Sequence, residues 1–147
     1  MTELIVVTEV GFAPDAWHKS SQISLGDLAA GAPLPQIEDK VLQVMGDDDP
    51  ALILPHLHQL SRIAINFPSA QDGRGFSLAR VLRDAGYLGK LRAIGPLITD
   101  QYRHLRQSGF DDLAITPSHA ERMPEEHWQD VIALPLPSYQ GRLISYD

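Results

Sequence analysis

Short apolar runs that alternate with helix-like segments form the main pattern along the chain. Strand-like runs rich in valine, isoleucine, leucine and alanine occupy residues 4–8, 40–45, 62–67, 90–95 and 112–116. From the third run onward they alternate with helical patterns at about residues 76–85 and 99–108. This alternation predicts parallel strands joined by crossover helices. We therefore expect one α/β domain over residues 1–147, with a mainly parallel sheet of about five strands, either open or as a partial barrel.

A weak internal repeat supports this arrangement. Residues 80–87 and 103–110 share two arginines, a leucine, and a glycine followed by an aromatic residue. In each copy the glycine, Gly86 or Gly109, stands where a helix C-terminus favours a left-handed residue, and the aromatic residue can fold back on the helix. The repeat indicates two successive β-α units.

The less regular parts of the chain give weaker signals. Residues 11–36 are rich in glycine, alanine, serine and proline, so we expect mostly irregular structure there with one short helix near residues 25–30. Asp49 and Pro50 have the residue types of a helix N-cap and first helical position, and Pro55 should shorten or bend the helix that follows.

The C-terminal tail gives one structural expectation, and the composition excludes several kinds of protein. Residues 131–147 are expected to form an edge strand or a contact with a neighbouring subunit of a homo-oligomer. The chain has no cysteine, which excludes thiolate chemistry and cysteine-bound iron–sulfur clusters within it. It has no apolar run of membrane-spanning length and no signal-peptide pattern, so a cytoplasmic protein without a membrane contact is expected.

The charge distribution is uneven. The net charge of −7 disfavours nucleic acid as a partner, because binding of phosphates needs a basic surface. Residues 74–106, however, hold seven of the twelve basic residues and only two acidic ones, Asp84 and Asp100. A local positive region on an acidic protein suits a small anion or an acidic partner surface.

The most distinctive segment places Gly73 and Gly75 on either side of Arg74, just before a predicted helix. Ligands of parallel α/β folds bind beyond the carboxyl ends of the strands, a rim that should comprise residues 69–77, 96–101 and 117–121. The candidate site for a small oxyanion or phosphorylated metabolite consists of Asp72, Gly73, Arg74, Gly75, Ser77, Asp100 and Gln101.

Each member of this candidate site has an expected part. The glycines would allow a tight turn and close backbone approach to a ligand, and Arg74 would offer a charged fork. Asp72 and Asp100 could orient Arg74, and Ser77 could cap the helix or bind the ligand. The alternative is a structural turn with a salt bridge and no ligand.

Other kinds of site are disfavoured. His56 and His58 would point to different sides of a helix, so no metal site is expected. A Walker loop, a dinucleotide-binding fingerprint and a serine nucleophile elbow are all missing, so no cofactor is expected. An enzyme that binds a small oxyanion or phosphorylated metabolite is the alternative function, with Asp72 or Asp100 as an acid or base if that carboxylate is desolvated. Arg92 near a strand start should pair with Asp111 or Asp112, because a charge in a parallel sheet needs a partner.

The chain resembles a bacterial family, domain-of-unknown-function family 934, described as sulfite-reductase-associated or as an oxidoreductase. The matching residues are 67–68, 72–80, 82–83, 86–87, 89, 91–95, 100–101 and 109–111, with weaker agreement at 15–17 and 48–60. The chain departs from the family pattern at residues 69–71 and in the helix after Pro55, which bears on ligand identity more than on fold. The resemblance implies a non-catalytic accessory role in assimilatory sulfite reduction, with sulfite reductase components as partners.

Overall fold

A computed structural model describes residues 3–17, 21–29 and 40–134 of the 147-residue chain. The described residues form one mixed sheet with helices packed on one face. Its strands are β1 (Ile5–Thr8), β2 (Gly11–Pro14), β3 (Ser21–Ser24), β4 (Lys40–Met45), β5 (Arg62–Asn66), β6 (Lys90–Ile94) and β7 (Asp112–Ile115). The helices are α1 (Leu25–Ala29), α2 (Arg74–Asp84), α3 (Tyr102–Ser108), α4 (Pro117–Arg122) and α5 (Glu125–Ile132), with 3₁₀ turns at Pro50–Leu52, Leu54–Gln59 and Thr99–Gln101.

The strand order is β2-β1-β7-β6-β5-β4-β3. Strands β3 to β7 are parallel and adjacent in sequence order, whereas β1 runs antiparallel to both β7 and β2. The α/β class and the mainly parallel sheet are confirmed, but the count of about five strands was wrong because the described residues form seven. The two missed strands, β2 and β3, lie in the segment 11–36 that was predicted to be mostly irregular. Each has only four residues, and their composition gave no strand signal.

Most predicted elements agree with the structure to within one or two residues, including the short helix α1. Asp49 caps as predicted, since its Oδ1 accepts a hydrogen bond from Ala51 N at 2.9 Å. The segment after it forms two 3₁₀ turns rather than a bent helix, with Pro55 near the start of the second. Helices α4 and α5 were not predicted, and α5 includes the first two residues of the predicted tail. The rest of that tail, residues 135–147, lies outside the described residues.

The internal repeat forms two helix endings of the same kind. Gly86 and Gly109 have φ values of 98° and 110°. The following aromatic residues fold back: Tyr87 N donates to Leu82 O, and Phe110 N donates to Leu105 O, both at 3.1 Å. This confirms the predicted glycine-terminated helices.

The sheet is curled rather than flat. Strands β2 and β3 stand at opposite edges of a seven-strand order, which would separate them by about 29 Å in a flat sheet. The chain from Pro14 to Ser21 spans at most about 25 Å when fully extended. The sheet must therefore curve toward the face that this connection crosses, which we call the concave face.

A buried ion-pair network holds the crossing connection against the concave face. Arg92 of β6 has a side chain only 6% exposed. Its Nε and Nη2 donate to the two carboxylate oxygens of Asp112 at 2.8 and 3.2 Å, and its Nη1 donates to Asp15 at 3.1 Å. The ring of Trp17 covers the guanidinium at 3.9 Å and lies 5.7 Å from that of Arg62 on β5. The predicted pairing of Arg92 with Asp112 is confirmed, and Asp15 is a second partner.

The outer edge of β2 is also occupied. The backbone N–H of Phe12 points away from β1 and donates to Glu125 Oε2 of helix α5 at 2.9 Å. Gly11, with φ 125°, has no side chain to obstruct this carboxylate, since a Cβ there would lie 2.7 Å from the same oxygen. The last described helix thus closes this edge of the sheet.

We predict that Arg92→Ala lowers the free energy of unfolding by about 3–5 kcal/mol, because it removes a buried guanidinium that binds both oxygens of the largely buried Asp112 carboxylate. Burial already raises the pKa of Asp112. Its charged form is therefore the costly one in the folded protein, and the destabilisation should grow as pH rises above the ordinary value of 3.8. Urea denaturation at about pH 4 and about pH 7 measures both effects.

The matched control is Arg80→Ala, at an exposed position of α2, which should change stability by less than about 0.5 kcal/mol. Equal losses of unfolding free energy in the two variants would contradict a structural role for the buried network.

Candidate functional site

The predicted arginine site is a surface ion-pair cluster. The Arg74 backbone N and Nε both donate to Asp72 Oδ1 at 3.0 Å, and Nη2 donates to Oδ2 at 2.8 Å. Nη1 reaches Asp47 Oδ2 at 3.4 Å. These bonds lower the pKa of Asp72 to about 2. Arg74 is therefore oriented by Asp72, as predicted, but its second carboxylate is Asp47 and not Asp100.

The two glycines of this segment have different structural roles. Gly73 is the N-cap residue of α2, and a Cβ there would meet nothing within 4 Å. Gly75 is buried inside the first turn of α2, where a Cβ would lie 2.4 Å from Phe67 Cζ. On its other side, a Cβ on Gly46 would lie 2.5 Å from Gly75 N. Gly75 thus allows α2 to pack closely on the loops after β4 and β5, and this packing leaves no room for a ligand at Gly75 itself.

The remaining predicted residues lie on the same rim without converging on Arg74. Ser77 is exposed on α2, and it does not cap the helix because Gly73 holds the N-cap position. Gln101 links two loops, since its Oε1 accepts from Ile98 N at 2.9 Å and its Nε2 donates to Ala70 O. Asp100 is exposed beside it. Ligand binding by this set of residues remains a prediction.

A cavity of about 150 Å³ lies elsewhere on the rim, at the carboxyl ends of β6 and β7. Its inner wall is apolar and is formed by side chains of the concave face. Ile94 of β6 pairs in register with Ala114 of β7, and Ala114 pairs with Val6 of β1. The apolar lining consists of Leu4, Ile94, Gly95, Pro96 and Ala114.

The other wall of the cavity is polar and comes from the end of β7 and from α4. It consists of Thr116, His119 and Arg122. Thr116 caps α4 by accepting from His119 N at 3.2 Å. His119 Nε2 lies 2.6 Å from Leu97 O, so this nitrogen donates and the ring is fixed beside the cavity. Arg122 is exposed, and no residue that the structure describes forms an ion pair or hydrogen bond with it.

The sequence predicted only part of this cavity. Pro96 and His119 fall within the rim expected from the strand ends, and Arg122 lies just beyond it. Leu4 was missed because β1 reaches β7 by antiparallel pairing across more than a hundred residues of sequence. Ile94 and Ala114 have the residue types of ordinary strand positions, so nothing in the sequence indicated that they border a cavity. The cavity beside them results from the curvature of the sheet.

Comparison with known proteins adds a family but no function. A family model described as "Bacterial protein of unknown function (DUF934)" matches residues 41–145. The chain belongs to this family. No curated protein and no solved structure matches the chain. The family match covers β4 to β7 and all of the cavity except Leu4, which lies on the N-terminal side of the matched region.

The described residues contain neither a metal-binding cluster nor a membrane-spanning helix. No group of three or more histidine and carboxylate side chains in residues 3–17, 21–29 and 40–134 is placed to hold a metal ion. Within the same residues, no helix is long and apolar enough to cross a membrane.

The glycine contacts lead to a paired prediction. Gly75→Ala should lower the free energy of unfolding by about 1–3 kcal/mol, because its Cβ would be forced into the ring of Phe67. Gly73→Ala has free space and should change stability by less than about 1 kcal/mol. Urea denaturation of the two variants measures the difference. Equal stability of the two variants would contradict the packing role assigned to Gly75.

Proposed function

We propose that this protein binds a small anion in the cavity at the carboxyl ends of β6 and β7. The observation that carries the proposal is the position of Arg122, a guanidinium without a described partner, on the wall of a ligand-sized cavity. Parallel α/β sheets bind their ligands beyond the carboxyl ends of the strands, where this cavity lies. A small oxyanion or phosphorylated metabolite was the ligand class expected from the sequence.

Arg122 is a better anion-binding group than Arg74. The side chain of Arg74 is 61% exposed, and its guanidinium is bonded to two carboxylates, Asp72 and Asp47. An anion at Arg74 would have to displace a carboxylate or approach a cluster with a net negative charge. Arg122 keeps its donors available, and His119 and Thr116 stand beside it on the same wall.

We predict that Arg122→Ala weakens anion binding at least about tenfold, since a hydrogen bond to a charged group contributes roughly 1.5–3 kcal/mol. Binding is measured by isothermal titration calorimetry or NMR titration with sulfite, sulfate, phosphate and propionate at constant ionic strength. Arg74→Ala is the matched control and should retain the affinity of the unmodified protein.

The titration also has outcomes that count against the proposal. Loss of binding in Arg74→Ala with full binding in Arg122→Ala would place the ligand at the glycine-flanked loop instead. A protein that binds none of these anions, with both variants alike, would remove the anion-binding function altogether.

A second candidate function is the accessory role in cytoplasmic sulfite reduction that the family resemblance implies, and one surface feature favours a protein partner. Leu88 is 96% exposed. The loop that presents it is held by Arg83, whose Nη1 donates to Tyr87 O at 2.9 Å and to Gly89 O at 2.8 Å. An apolar side chain on a loop fixed in this way loses little conformational entropy when a partner covers it.

We predict that the protein co-purifies with sulfite reductase components and that Leu88→Ser weakens this association. Leu52→Ser, at another exposed leucine outside this loop, is the matched control and should leave it unchanged. Pull-down from purified components, together with an assay of sulfite reductase activity, provides the measurement. No association, with enzyme activity unaffected by the added protein, would contradict the accessory role.

A further inference from the structure

The cavity beside Arg122 has two chemically different halves. Its apolar half is a continuous surface on three neighbouring strands, because Ile94 and Ala114 are adjacent in register and Leu4 continues β1 beside them. Ala114 is fully buried beneath this surface, whereas Leu4 and Ile94 are half-buried, so Leu4 and Ile94 form the part of the apolar half that a ligand can reach. The polar half, with Thr116 and Arg122, is exposed to solvent. A ligand that fills the cavity would therefore contact apolar side chains at one end and the guanidinium of Arg122 at the other.

The size of the cavity limits the ligand. An apolar cavity of about 150 Å³ in another protein accepts benzene, which has about six non-hydrogen atoms. The cavity here has a volume of about 150 Å³. It is thus larger than a single inorganic oxyanion needs and too small for a nucleotide.

The apolar half disfavours sulfate, sulfite and phosphate. Each oxygen of such an ion needs a hydrogen-bond donor, and an oxygen turned toward Ile94 or Leu4 would lose its hydration without replacement. The single guanidinium at this site also matches one negative charge better than two. A carboxylate places both oxygens at one end, in the geometry that a guanidinium fork binds.

We propose that the cavity binds a small organic monocarboxylate, with the carboxylate at Arg122 and a short aliphatic tail against Ile94 and Leu4. This inference rests on the proposed anion-binding function and names its ligand class. Arg122 binds the carboxylate through its positive charge, and the apolar half makes the affinity depend on the length of the tail. His119, whose ring is fixed through Leu97 O, belongs to the polar half.

The test is a titration of the unmodified protein with formate, acetate, propionate, butyrate and isovalerate, and separately with sulfite, sulfate and phosphate, all at constant ionic strength. Affinity should rise about fourfold for each added methylene, as expected for burial of a CH₂ group, until the tail fills the cavity. The inorganic ions should bind at least about tenfold more weakly than butyrate, because their oxygens would lose hydration against the apolar wall.

Two variants separate the halves of the site. Arg122→Ala should weaken all the carboxylates together. Ala114→Val should reduce the gain for longer tails more than it reduces formate binding, since the added methyl groups would fill part of the apolar half. Ile94→Thr tests the same half without added volume and serves if Ala114→Val does not fold, as judged by circular dichroism and thermal melting.

The outcomes distinguish this inference from the function on which it rests. If inorganic ions bind as tightly as butyrate and depend on Arg122, the carboxylate assignment is wrong and the anion-binding function stands. If carboxylates bind without any gain from tail length, or bind independently of Arg122, the assignment is also wrong. If no anion binds, both proposals fail.

Discussion

The shape of this protein depends on a connection that is too short for a flat sheet. Strands β2 and β3 occupy opposite edges, and the chain between them can join them only if the sheet curves. Asp15 and Trp17 fix the described part of that connection to Arg92 in the middle of the sheet. Because the guanidinium also binds Asp112, a single buried cation links the connection to both β6 and β7.

The same curvature explains where the cavity lies. Strands β6, β7 and β1 meet at the carboxyl-end rim with small or half-buried side chains on the concave face, Ala114 and Ile94 among them. Helix α4 begins immediately after β7, so Arg122 and His119 come to stand beside this space. Asp15 accepts a hydrogen bond from Leu4 N at 3.3 Å, which ties the ion-pair network to the cavity lining. The network that sets the fold therefore also supports one wall of the proposed site.

Much of the central sheet could be predicted from the sequence because its strands are apolar runs and its helices end in a glycine and an aromatic residue. Gly86 and Gly109 identified two helix ends from residue type alone. The edge strands could not be found in this way, since β2 and β3 are only four residues long, and β3 contains serine and glutamine. Pairing with a neighbouring strand, rather than local preference, makes them strands.

The site was harder to predict than the fold. Glycine and arginine in one short segment indicated a ligand loop, but the buried Gly75 serves close packing on Phe67, and Arg74 is bonded to carboxylates. The cavity combines Leu4 with residues ninety or more positions away, and a space of that kind has no signature in a single sequence. The strand-end rule indicated the rim on which the cavity lies, and three-dimensional packing decided which part of that rim is hollow.

The contact between Glu125 and the backbone of Phe12 bears on how this protein behaves at high concentration. An outermost strand with an unoccupied amide is a template to which strands of other molecules add, and that route leads to fibrous aggregates. Here the amide is occupied by a carboxylate from the molecule's own helix. A foreign strand would have to displace an ion and would face its negative charge, so this border of the sheet resists templated growth.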